Sequence, residues 1–145
     1  MKQFNDLMKK EEEMMEKYGF VIHNVFPTKD DKDGKFTIHT HGLKKSFNHM
    51  DLEVVLPISP KIVAGIFHGM VDSIKEGETF EDKSTSDRVI QNFDVQLVRV
   101  NDGKRDLLRI VLPDENGKFP CDKDCADIYK SQLDDIIPND KKSLN

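Results

Sequence analysis

Histidines are the residues of this 145-residue chain best suited to chemistry, because three of the five can meet on one surface. His39 and His41 are two residues apart in the β-forming run FTIHTH, so on a strand they point to the same face. The earlier run FVIHNVF can pair with it as a hairpin. If Phe26 faces Phe36 in that hairpin, His23 faces His39. This register predicts one sheet face that carries all three rings.

A divalent metal is one ligand that three neutral imidazoles on a stiff sheet can hold, and zinc with an open fourth position would be catalytic. Asp51 or Glu53 could then act as a base, as a further ligand or as the partner of a histidine, and His49 could add to the set. Basic residues, however, occupy the positions where a cupin-like site needs glutamate. Leu43 holds the position where a metallo-β-lactamase-like site needs aspartate.

Without such a signature, strand histidines are typical of a half-buried, hydrogen-bonded polar surface or of a metal-free polar pocket. We therefore expect no cofactor. Zinc bound by His23, His39 and His41 is the alternative.

Two further motifs do not meet the requirements of a metal or redox site. Cys121 and Cys125 supply only two of zinc's four ligands and are separated by three residues, whereas a redox motif has two. Free thiols in a reducing cytoplasm are the simpler interpretation. The segment TKDDKDG resembles a calcium loop, but Lys29 and Thr40 stand where the first and twelfth positions need acidic ligands.

Composition limits the classes of partner. Lys and Arg total 22 and Asp and Glu total 27, which gives a net charge of −5. This balance disfavours binding to nucleic-acid phosphates, which needs a basic patch. No apolar run approaches the roughly 18 residues of a membrane span, and the acidic start does not resemble a signal peptide. The length fits one domain.

The elements that must position the histidines are predicted from hydrophobic spacing and end signals. Strands are expected at 20–26, 36–41, 52–56, 93–100 and 107–112, with 78–88 a loop or edge strand. Helices are expected at 1–17 before Gly19, from the N-cap Ser59 and Pro60 to Gly77, and from about Asp122 or Asp124 to Pro138.

This order of elements predicts an α+β fold with a mainly antiparallel sheet of about five to six strands and three helices covering one face. The expected organisation is an N-terminal helix at 1–17, a single domain at 18–137 and a loose tail at 138–145. Gly65 and Gly69 lie inside the central helix and indicate close approach of another backbone. The helix would pack closely on the protein's own sheet, or alternatively on a second copy in a homodimer.

An ordered set of short motifs resembles the bacterial family called domain of unknown function 4262, over about residues 18–121. The motifs are Gly19-Phe20-Val21, Thr40-His41-Gly42-Leu43, Phe47-Asn48-His49-Met50-Asp51-Leu52, Val55-Leu56-Pro57, Lys75-Glu76-Gly77-Glu78-Thr79-Phe80 and Leu112-Pro113-Asp114-Glu115-Asn116-Gly117-Lys118-Phe119-Pro120. The family often has Gly-His-Pro-Glu-Leu where this chain has NHMDL, and a tryptophan near the final Phe-Pro, which Cys121 follows here.

The resemblance implies a bacterial, intracellular, single-domain protein, and it implies no reaction. It does place His41, Gly42 and His49 in motif segments, so the loop from His41 to Asp51 is the first choice for a ligand or contact surface. We expect a non-enzymatic binding or interaction module with an unidentified protein or small-molecule partner. The alternative is a metal-dependent hydrolase-like enzyme that uses the histidine cluster.

Overall fold

The computed structural model describes residues 2–27 and 36–136, which form one six-stranded sheet with helices around it. The elements in chain order are α1 (Lys2–Tyr18), β1 (Val21–Val25), β2 (Thr37–His41), α2 (Leu43–Phe47), β3 (Asp51–Val54), α3 (Pro60–Lys75), β4 (Ser84–Ser86), β5 (Val95–Asn101), β6 (Asp106–Val111) and α4 (Asp127–Lys130), with a 3₁₀ turn at Ser131–Leu133.

The strand order is β1-β2-β3-β6-β5-β4, and only the central β3–β6 pair is parallel. The other pairs are antiparallel, so the predicted α+β fold with a mainly antiparallel sheet is confirmed. β3 and β6 can be parallel because α3, β4 and β5 lie between them in the chain, and a parallel pair needs such a long connection. The short helix α2 was not expected from the sequence.

The first hairpin has the register that the sequence predicted. His23 pairs with His39, and Val21 pairs with His41. The rings of Phe26 and Phe36 lie 5.3 Å apart just beyond the paired residues, as the alignment of the two phenylalanines required. Pairing of apolar and aromatic residues fixes the register, because a slip of one residue would move each side chain to the other face.

The core lies between one face of the sheet and α3. Val63, Phe67, Met70 and Val71 follow helical spacing and are buried against strand residues such as Ile38. Pro60 begins the helix as predicted. Ser59 precedes it, but the predicted capping hydrogen bond from its side chain is not formed.

The two glycines of α3 do not pack against the sheet, so that prediction is wrong. Gly65 and Gly69 are exposed, and a Cβ built at either position would meet nothing within 4 Å. They lie on the side of the helix opposite Phe67 and its buried neighbours. Close packing of α3 against a second copy stays a prediction.

The C-terminal helix is much shorter than predicted. α4 covers only Asp127–Lys130, and the preceding residues form turns. Carboxylates compete for the backbone here: Asp122 accepts a hydrogen bond from the Phe119 amide, and Asp114 accepts one from the Ala126 amide. Such side-chain bonds offer the backbone an alternative to a helix. The predicted end of this helix and the tail at 138–145 lie outside the described residues.

Within the described residues, no helix is both long and apolar enough to cross a membrane.

Candidate functional site

The three strand histidines lie together on the sheet face opposite α3, and we call His23, His39 and His41 the histidine face. The ring of His23 lies edge-on to that of His39, with centroids 5.6 Å apart, and is stacked on that of His41 at 5.9 Å. His41 is exposed, and the other two are partly buried. The sequence therefore predicted which rings meet, because hairpin register alone determines it.

Helix α1 covers one side of the histidine face. Glu11 Oε1 lies 3.0 Å from His23 Nε2, and both side chains are more than one-third exposed. Further along α1, Met15 lies against Gly42. The Gly42 backbone has φ of 113°, and a Cβ there would lie 2.7 Å from the terminal methyl of Met15. Gly42 therefore allows both the turn after β2 and the close approach of α1.

Asp51 is buried on the same sheet face, next to His41, and joins three segments. Its Oδ1 accepts hydrogen bonds from Thr40 Oγ1 at 2.8 Å and from the Leu43 amide at 3.1 Å. Its Oδ2 accepts a bond of 2.5 Å from Arg105 Nη1. In turn, Thr40 Oγ1 accepts a bond from the Leu52 amide at 2.9 Å. The carboxylate of Asp51 thus fixes the end of β2 to β3 and to the start of α2.

Arg105 was not among the predicted site residues, but it reaches the histidine face from the turn between β5 and β6. Besides Asp51, its guanidinium donates to the Thr40 carbonyl oxygen at 3.1 Å and to His41 Nδ1 at 3.2 Å. Asp102 stabilises the turn, because its carboxylate accepts hydrogen bonds from the backbone amides of residues 104 and 105. No local spacing could have shown this, because residues 41 and 105 lie 64 positions apart.

Glu53, two residues after Asp51 on β3, is paired with a second arginine, Arg109, which was not among the predicted site residues. Arg109 Nε donates to Glu53 Oε1 at 2.7 Å, and both side chains are nearly inaccessible. Arg109 also contacts Asp135 at 2.6 and 3.0 Å and the Gln132 carbonyl oxygen at 2.9 Å. Burial would lower the pKa of Arg109, but the bonds to Asp135 and the charge of Glu53 outweigh it and raise the pKa.

His39 is partly buried, and the charge of Arg105 acts on its ring. Its burial, followed by the positive charge of Arg105 and the neighbouring His23, lowers its pKa from the ordinary value of 6.5. The carboxylates of Asp102 and Asp51 oppose this effect without reversing it. His39 is therefore held mainly as a neutral imidazole near neutral pH.

His49, although predicted as part of the same contact surface, lies apart from the histidine face and is only 6% exposed. Its Nδ1 donates to the Met50 carbonyl oxygen at 2.8 Å, and its Nε2 accepts the Phe80 amide at 3.0 Å. These bonds fix the neutral tautomer with the proton on Nδ1. His49 holds the segment after α3 to the loop before β3.

Neighbouring side chains engage two of the three rings of the histidine face. In residues 2–27 and 36–136, no group of three or more His, Cys, Asp or Glu is placed to hold a metal ion. In two of the three predicted zinc ligands, one ring nitrogen is already hydrogen-bonded to a neighbouring side chain. His23 Nε2 is bonded to Glu11, and His41 Nδ1 is bonded to Arg105. A guanidinium beside the imidazoles also opposes a divalent cation through charge repulsion.

The fold and the site define an α+β protein with one open mixed sheet, whose polar face carries histidines, carboxylates and two arginines. The family described as "Domain of unknown function (DUF4262)" matches residues 14–126, and the chain belongs to this family. The resemblance seen in the motifs is thereby confirmed. No curated protein and no solved structure matches the chain.

Proposed function

We propose that this protein is a non-enzymatic binding module that contacts its partner through the histidine face. The observation that carries the proposal is that the carboxylates of this surface are buried in ion pairs, whereas the ring of His41 is exposed. The carboxylates predicted as catalytic, Asp51 and Glu53, are buried and bonded to Arg105 and Arg109. A general base must lie within hydrogen-bond distance of the substrate proton that it removes. A buried carboxylate that is already paired with an arginine leaves no room for a substrate there. The exposed ring of His41 can still take part in contacts.

The surface offers three kinds of contact to a partner. Imidazole rings supply flat faces and a hydrogen-bond donor or acceptor, and Arg105 and Glu11 supply opposite charges on either side of them. The supporting layer is rigid, because Asp51 ties β2, β3 and the β5–β6 turn together. A preorganised surface loses little entropy when it binds, which favours recognition.

The experiment is a fragment screen by amide and imidazole NMR on labelled protein, with His41→Ala as the test variant and His68→Ala as the control. His68 lies on α3, against Tyr18 and Phe20 and away from the histidine face. We expect saturable shift changes that cluster on His23, His39 and His41 and weaken in the His41 variant. Ligands whose shift changes cluster elsewhere would contradict the proposal.

A metal-dependent hydrolase is the second candidate, and the closeness of the three rings favours it. To bind zinc, His23 would have to leave Glu11, and His41 would have to leave Arg105. Elemental analysis of tag-free protein with and without added zinc separates the two functions. Near-stoichiometric zinc that is lost in a His39/His41 double-alanine variant supports the enzyme. No retained metal, with a melting temperature unchanged by chelator, supports the binding module.

The proposal places the module in a reducing cytoplasm. Cys121 and Cys125 support this, since both are free thiols, the first exposed and the second buried.

A further inference from the structure

A groove runs beside the histidine face, between α1 and α2. Its apolar lining consists of Met8, Met15 and Val21. His41 borders it, and its volume is about 630 Å³. This volume lies within the range of specific ligand sites, roughly 300–1,000 Å³. We call this feature the α1 groove.

One apolar side chain of the groove remains largely uncovered. Met8 is 48% exposed, although a surface helix normally buries its apolar stripe. Methionines are flexible and polarisable, so a methionine-lined surface adapts to different apolar partners. An exposed methionine beside a groove gives a partner an apolar surface to bury.

The wall of the groove along α1 is acidic. Glu12 and Glu16 are exposed and lie one helical turn apart, so they form a short negative row beside the methionines. Glu11, the third carboxylate on this wall, is engaged by His23. Lys45 stands on the opposite wall. A partner with basic side chains on the α1 side therefore complements the charge of the groove.

The length of the groove fits a helical occupant. From Met8 to Glu16 the helix rises about 12 Å, which equals about two turns of a second helix lying alongside it. A helix in a groove places apolar residues at positions i, i+3 or i+4, and i+7, and two of these can contact Met8 and Met15.

We propose that the α1 groove binds an amphipathic helical segment of a partner protein, with apolar anchors on Met8 and Met15 and basic residues facing Glu12 and Glu16. This inference rests on the proposed function, because it names the partner of the surface that the histidine face borders. Met8 and Glu12 lie before residues 14–126, the part of the chain that the family matches.

The probe is a synthetic 14-residue peptide of leucine and lysine in helical spacing, compared by calorimetry with its leucine–glutamate counterpart. The test variants are Met8→Lys and the pair Glu12→Lys with Glu16→Lys. The control is the pair Glu76→Lys with Glu115→Lys, two exposed residues outside the groove that give the same change in net charge. Circular dichroism checks that each variant folds.

We expect saturable binding of the lysine peptide and none of the glutamate peptide. Each test variant should weaken binding about tenfold, which corresponds to about 1.4 kcal/mol, and the control should change it less than about twofold. Equal weakening in the control would show general attraction to an acidic protein and would overturn the proposal, as would no binding. If the fragment screen still identifies the histidine face in that case, only the inferred partner is wrong. If the screen also fails, the binding function is wrong.

Discussion

The pair formed by Asp51 and Arg105 gives the sharpest test of how the histidine face is held. The Asp51 side chain is 7% exposed and that of Arg105 is 25% exposed, and their atoms are 2.5 Å apart. Removing one partner of a fully buried pair costs about 3–5 kcal/mol. Because Arg105 is partly solvated, we reduce this figure and expect Arg105→Ala to lower the free energy of unfolding by about 2–3 kcal/mol.

Asp51→Ala should cost at least as much, because it also leaves the Thr40 hydroxyl and the Leu43 amide without their acceptor. The stability lost in the double variant should be smaller than the sum of the losses in the two single variants. We expect a coupling energy of about 1.5–2.5 kcal/mol from a double-mutant cycle measured by urea unfolding. Arg105→Lys should recover part of the loss, since it retains a charge facing Asp51.

The matched control is the cycle between Glu78 and Arg88, whose charged atoms lie 3.6 Å apart with Arg88 69% exposed. A surface pair of this kind should give a coupling energy of about 0–1 kcal/mol. If the Asp51–Arg105 coupling is no larger than this control, the pair does not organise the site. NMR titration gives a second measure, because loss of the Arg105 charge should raise the pKa of His39 towards 6.5.

Three further outcomes are expected. Gly42→Ala should destabilise the protein by more than about 1 kcal/mol, because φ is 113° and the added methyl would meet a methionine of α1, whereas Gly65→Ala should stabilise it by up to about 1 kcal/mol in thermal unfolding. The pKa of His39 is lower in the folded state, so the unfolded chain takes up the proton first as the pH falls. Stability should therefore be unaffected by this group above pH 6.5 and decline below it, and His39→Gln should remove that part of the slope when urea midpoints are compared. Iodoacetamide should label Cys121 rapidly and Cys125 slowly in the native protein, as mass spectrometry would show, because burial raises the pKa of the Cys125 thiol; equal labelling would contradict this.

Local sequence patterns were sufficient where the deciding forces are local. The apolar spacing of α3, with Pro60 at its first turn, determined that helix, and alternation in the first hairpin determined that His23 faces His39. The same patterns failed where long-range contacts decide the outcome. The carboxylate of Asp114 accepts a hydrogen bond from the Ala126 amide, which helps to prevent the longer helix that the apolar spacing predicted.

The candidate site shows the same division. The sequence by itself determined that three imidazoles share a sheet face. Side chains alternate between the two faces of a strand, and only one hairpin register places the apolar and aromatic residues correctly. Only the tertiary structure decided their environment. The parallel pairing of β3 with β6 brings Arg109 opposite Glu53, and the β5–β6 turn carries Arg105 to Asp51 and His41. Charges so distant in sequence meet through strand order, which residue spacing does not encode.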